Sequence, residues 1–164
     1  MKPGPIRPVY NAGAAGGVWY KNTLMKIGYG FLLLVLFGCR DEVPARWQTL
    51  DCQTFTVQAP PRWRHVARVG YDSRVGELTN GKVTLRYDYG RYSYPFGRET
   101  ATTHRRTNLT LDGRPAFIVE PKQRGKGVIG LYVTVDAGLR LSIYGTNIPD
   151  HQLIRQLFSS VRFS

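Results

Sequence analysis

An α+β domain is what this sequence predicts: an antiparallel β-sheet of about six to seven strands with a C-terminal helix packed on it. Three observations predict it. Three pairs of strand-like segments each break at a turn dipeptide, an amphipathic stripe of helical period closes the chain, and 164 residues leave room for one domain behind an apolar leader. The composition is 42% hydrophobic, 21% charged and 12% aromatic. That excludes a fully disordered chain, a collagen-like repeat and a polytopic membrane protein.

The elements follow in chain order. Residues 54–58 alternate apolar and polar and stop at Ala59-Pro60-Pro61. Residues 62–69 read as a short helix or an irregular segment started by the two prolines. Residues 77–79 and 82–89 form a hairpin around Asn80-Gly81, a dipeptide suited to the positive φ angles of a two-residue type I′ turn. Residues 107–111 and 114–120 repeat the pattern around Asp112-Gly113, and 128–136 and 139–145 around Ala137-Gly138. The helix opens at Pro149-Asp150 with Asp150 as N-cap. Its stripe of Leu153, Ile154, Leu157, Phe158 and Val161 is core packing rather than a binding face.

The front of the chain reads differently. After Met25 and Lys26, residues 27–38 are 12 apolar positions. A helix needs about 20 to span a bilayer, so the stretch fits the apolar region of a secretory signal. Its end, Leu36-Phe37-Gly38-Cys39, resembles the lipobox of bacterial lipoproteins. The resemblance implies that Cys39 takes a diacylglycerol, that cleavage before it leaves an acylated N-terminus, and that the chain holds to a membrane through that anchor. The expected organisation is a mis-annotated or disordered extension over 1–24, a signal peptide over 25–38, a lipidated tether over 39–52 and one globular domain over 53–164. Arg40-Asp41-Glu42 resembles the export signal of some Bacteroidota surface lipoproteins. The expected location is the bacterial cell envelope, by default the periplasmic face of the outer membrane, otherwise the cell surface.

The formal charge is +12, and residues 39–164 keep 19 basic and 11 acidic side chains, a net +8. The arginines are spread along the chain rather than striped on a helix. They read as a solvated basic surface near anionic head groups, and no nucleic-acid partner is expected. His104-Arg105-Arg106 and Arg124-Gly125-Lys126 are the local patches that a polyanion site would use. With Cys39 acylated, Cys52 is the one other cysteine, and its place before a strand points to a buried thiol.

The domain itself resembles the PsbP-like fold, shared by the oxygen-evolving extrinsic proteins and a Ran-binding nuclear import factor. The resemblance rests on residues 55–63 with their Pro-Pro-Arg-Trp turn, Asp72-Ser73 with Gly76, Asp88-Tyr89-Gly90 and the run from Leu157 to Phe163. It covers residues 53–164 and implies an early strand, a meandering sheet and a C-terminal helix in an α/β/α sandwich. Functions in that family diverge widely, so the fold fixes none.

Catalytic signatures are sparse. His65, His104 and His151 have no zinc spacing, Ser73 lies in no nucleophile elbow, and Gly125-Lys126-Gly127 lies between strands rather than before a helix. No enzyme, cofactor or metal is expected. The richest feature runs from Tyr87 to Phe96, in which Tyr87, Asp88, Tyr89, Arg91, Tyr92, Tyr94 and Phe96 crowd ten residues, with Asp72 expected nearby. As a binding surface it would offer large, stiff contact area. As structure, Tyr87 and Tyr89 would pack under a long loop and the others would pin it. Three functions follow: a monomeric, non-enzymatic lipoprotein contacting a protein partner, a small-ligand or glycan binder with the loop as pocket wall, and a hydrolase using Asp72 and Asp88. A flat exposed aromatic patch favours the first, a closed aromatic pocket the second, and a deep cleft with perturbed carboxylates the third.

Overall fold

From residue 46 to residue 164 the chain runs through ten strands and one helix, the part of the protein that the computed structural model describes. The expected extension, signal peptide, Cys39 and Arg40-Asp41-Glu42 lie outside the described residues. The strands are β1 (Gln48–Asp51), β2 (Phe55–Ala59), β3 (Arg64–Arg68), β4 (Arg74–Thr79), β5 (Thr84–Gly90), β6 (His104–Leu111), β7 (Arg114–Pro121), β8 (Val128–Thr134), β9 (Arg140–Thr146) and β10 (Arg162–Phe163), with α1 at His151–Ser159. All pairings are antiparallel. Seven strands form one sheet in the order β3-β4-β5-β9-β8-β7-β6, and β1-β2-β10 form a second.

Local chemistry sets each turn. Between β6 and β7, Leu111 pairs with Arg114 and the two loop residues Asp112 and Gly113 have φ of 49° and 76°, the type I′ geometry that Asp-Gly favours. Between β4 and β5 the loop is longer than the two residues expected. Thr79 pairs with Thr84, and the Asn80 side chain accepts the N–H groups of Lys82 and Val83 at 3.0 and 2.8 Å. Capturing two amides with one carboxamide closes a four-residue loop in which only Gly81 takes positive φ. Between β8 and β9 the Asp136 carboxylate accepts from Gly138 and Leu139 at 2.7 and 2.8 Å, which holds its carboxyl below the usual carboxylate range.

Two segments differ from expectation. Residues 62–69 hold β3, a strand rather than a helix: Pro60 and Pro61 make a turn, Arg62 takes φ of 77°, and the chain then pairs with β4 from Arg64 to Arg68. Its polar composition hid it, because it is an edge strand with exposed arginines, and charge on an edge discourages pairing with another chain. The folded domain also begins earlier than residue 53. Gln48–Asp51 pairs with β2, and Leu50 and Cys52 are buried in the core.

One face of the large sheet meets α1 and the small sheet. That core holds Phe55, Val57 and Trp63 from the β2 side, Leu85, Leu131 and Ile143 from the large sheet, and Ile154, Leu157 and Phe158 from the helix. Each such side chain contributes on the order of 1.5–3 kcal/mol by leaving water. The helical stripe is thus core, and Asp150 caps it, accepting the Leu153 N–H at 3.0 Å. The thiol of Cys52 is shut in the same core, and burial, with Asp51 adding, pushes it up to about 12. An α/β/α sandwich would place a helix on the other face too. Among the described residues there is one helix, and the other face carries the irregular segment 91–103 instead.

Topology explains that segment. The chain leaves β5 in mid-sheet and must re-enter at the far edge as β6, passing β9, β8 and β7. At roughly 4.8 Å per strand the crossing is about 19 Å. Residues 91–103 therefore lie across the sheet and need apolar anchors to hold them there.

Candidate functional site

The aromatic run supplies those anchors, and the structure divides it among three environments. Tyr87 points into the main core. Its ring lies over Gly76, its cross-strand partner, where a Cβ would collide with it, and it meets Phe55 edge-on at 5.2 Å. Its hydroxyl is 2.7 Å from Nε2 of His65. Burial pushes the phenol up to about 12, with Cys52 adding to the rise and Arg74 opposing it. Tyr89 packs half-buried on the same side. Asp88 takes the opposite face, as strand alternation requires; its Oδ1 is buried without a partner among the described residues, as is Oγ of Ser142, its cross-strand neighbour.

The crossing segment begins with a clasp. Oγ of Ser93 accepts the Gly90 N–H at 3.1 Å and lies 2.9, 3.2 and 3.1 Å from the carbonyls of Asp88, Gly90 and Arg140. Phe96, at φ of 55°, then drops its ring onto Gly130 of β8, where a Cβ would clash. Tyr94 meets Phe96 at 5.0 Å, and Phe117 and Tyr144 lie at 6.4 and 6.2 Å from it, forming a second core with Val119. The Tyr94 hydroxyl donates to Glu99 at 2.8 Å, and burial together with that bond raises its phenol above the ordinary value. Arg91, Tyr92 and Pro95 are the exposed residues of the run from Tyr87 to Phe96, Tyr92 at 78% exposure.

Asp72 is exposed in the β3–β4 turn. With Ser73, Tyr89 and Gly90 it lines an open depression of about 570 Å³, which Asp88 does not line. Asp72 is exposed and Oδ1 of Asp88 is buried, so the two carboxylates proposed for hydrolysis sit in different environments. Fully exposed Val69 and Tyr71 occupy the same turn, and Ser73 packs on Gly90, two residues before Tyr92. Val69, Tyr71 and Tyr92 therefore mark one end of the large sheet, and they are the large apolar side chains most open to water among the described residues.

A second region was not assembled from the sequence. A groove of about 870 Å³ lies between α1 and the β6–β7 edge. Arg105, Lys122, Arg124, Arg155 and Arg162 line it, against one carboxylate, Glu120. Arg105 and Glu120 are direct cross-strand partners. Glu120 accepts from Nδ1 of His151 at 2.9 Å and faces Arg155 at 3.6 Å. His151 is only 5% exposed, and its Nε2 has no partner among the described residues. Of the two basic patches read in the sequence, Arg105 and Arg124 reach the groove. Arg106 points to the opposite face and stacks 3.4 Å over Phe117, as alternation along β6 dictates. His104 bonds Thr103 at 2.8 Å, and neither it nor Lys126 lines the groove.

The signal that marks this region lies in periodicity. Ala116, Ile118 and Glu120 share one face of β7, and His151 shares the helical stripe of Ile154 and Phe158. A carboxylate and an imidazole at core-facing positions need each other or a ligand. Among the described residues no group of three or more His, Cys, Asp or Glu side chains is placed to hold a metal ion. No protein-family model matches the chain, and a search of curated proteins finds no match either.

Proposed function

We propose that this chain is a bacterial envelope lipoprotein, anchored through Cys39, whose folded domain is a non-enzymatic binding module. The observation that carries the binding role is the exposure of Val69 and Tyr71 in the β3–β4 turn and of Tyr92 just after β5, segments that meet where Ser73 packs on Gly90. Tyrosines in such places supply contact area at low entropic cost. Arg74 and Arg91, exposed beside them, would rim the contact. The pattern favours a protein partner over an enclosed aromatic pocket, since Tyr87, Tyr94 and Phe96 are spent on packing.

The anchor reading rests on Leu36-Phe37-Gly38-Cys39 and on the distance to the fold. Eight residues separate Cys39 from β1 at Gln48. A chain of that length spans at most about 30 Å, so the domain would stay close to the head groups. A finer assignment, the PsbP-like fold, draws support from the Pro-Pro-Arg-Trp turn after β2, the antiparallel sheet and the terminal helix.

Intact-mass spectrometry of the membrane fraction from a bacterial host tests the anchor. The expected mass is residues 39–164 plus acyl chains, lost in Cys39→Ser. A soluble full-length chain that ignores the substitution overturns it. Photocrosslinkers at positions 71 and 92 test the contact. Discrete adducts there, absent with a crosslinker at exposed Lys82, support it; equal yields at all three positions count against it.

A further inference from the structure

The basic groove has no part in the contact just proposed, and its composition asks for a ligand. We propose that it binds a phosphate-bearing ligand of head-group size. Five cationic side chains converge on one concavity with a single opposing carboxylate. Glu120 is occupied by His151 and Arg155, so it cannot neutralise the remainder. Arg105 and Arg124 have no carboxylate within salt-bridge distance among the described residues, and Lys122 gives its ammonium to the Ala101 carbonyl at 2.6 Å. Like charges held together in a concave wall repel one another and focus a positive potential, a cost that a bound anion relieves.

The chemistry discriminates among anions. Guanidinium groups present paired N–H donors that match phosphate oxygens two at a time, and a phosphate accepts from several such forks at once, whereas a carboxylate has two oxygens. The volume, about 870 Å³, is far larger than a bare phosphate needs and lies in the range of small-molecule sites. His151 lines the groove from behind this cationic wall, with Nδ1 held by Glu120 and Nε2 buried without a partner among the described residues, so a polar group left short of one hydrogen bond lies directly beneath the site. The side chains come from β6, β7, the β7–β8 loop, α1 and β10, so the groove exists only in the folded domain.

The source of the ligand rests on the envelope reading; the binding itself does not. The test is titration of the full chain in neutral detergent micelles with three probes: inorganic phosphate, glycerol phosphate, and micelles doped with a short-chain phosphatidylglycerol. Saturable binding is expected, at least tenfold weaker in Arg105→Ser/Arg124→Ser and within twofold of wild type in Arg64→Ser/Lys82→Ser, which removes equal charge from exposed sites elsewhere. The ring resonances of His151 should shift with the same midpoint. Tighter binding of the doped micelles identifies a lipid head group, and tighter binding of glycerol phosphate a soluble organic phosphate. Equal weakening in both double variants means general charge attraction and overturns the proposal, as does no saturable binding of any probe. Failure of the Cys39 anchor leaves all these outcomes readable, because none of them depends on acylation.

Discussion

The aromatic segment and the basic groove lie on opposite faces of one sheet and differ in how they use chemistry. The segment concentrates its aromatic residues within ten positions, yet Tyr87, Tyr94 and Phe96 are consumed by packing. The groove gathers its residues from positions as far apart as Arg105 and Arg162, and leaves their charges facing solvent. Density along the chain thus reports a local mechanical demand, here the crossing from β5 to β6. Density in space reports a ligand.

The contrast breaks most sharply at Phe96. Its ring fills the surface above Gly130, so Phe96→Ala opens a cavity and should cost on the order of 3–5 kcal/mol. In a domain of this size that lowers Tm by roughly 10–20 °C in a thermal melt. Arg105→Ser, on the groove wall, should change stability by no more than about 0.5 kcal/mol. Comparable melting losses for the two substitutions would mean that the groove is structural after all.

The next effect sharpens the packing side. Cys52 and Tyr87 share a core, and both hold their protons to about 12 in the folded state, against ordinary values of 9.0 and 10.0. A raised folded value means that the native protein binds more protons than the unfolded chain above pH 9. Stability is therefore complete below about pH 9 and declines as pH rises toward 12, by up to about 1.4 kcal/mol per pH unit for each group. Denaturation midpoints at pH 8, 9.5 and 11 should fall in that order. Cys52→Ala should flatten the fall, and an unchanged slope would remove the thiol from the account. At pH 8 the native thiol should also resist alkylation until the protein is unfolded.

How much of this was legible follows from which forces are local. The Asp112-Gly113 turn and the Asp150 cap were readable because each is decided within a few residues by backbone sterics and short hydrogen bonds. The edge strand β3 was not, since its residues are chosen for solvent and carry no apolar alternation. Nor was the small sheet: β1 offers one inward apolar residue, Leu50, and its pairing with β2 is a tertiary fact. The basic patches around Arg105 and Arg124 were visible, but not that strand alternation would send Arg106 to the other face. His151 and Glu120 lie 31 residues apart, and no spacing rule joins them.

The smallest effect tests whether the helix cap and the groove are one device. Asp150 accepts the Leu153 N–H, and the residue it precedes, His151, is the first of α1 and the partner of Glu120. Asp150→Ala should cost about 1 kcal/mol, the usual worth of such a cap. Because the frayed turn carries the imidazole, the loss should appear locally before it appears globally. Amide exchange should quicken at residues 151–154 while β8 stays protected, and the His151 ring resonances should broaden. Asn caps as well as Asp, so Asp150→Asn should restore both stability and sharp resonances although it removes a charge. If the Asn variant instead behaves like Ala, the carboxylate acts through its charge on the neighbouring arginines, and the groove's field rather than the helix end holds His151 in place.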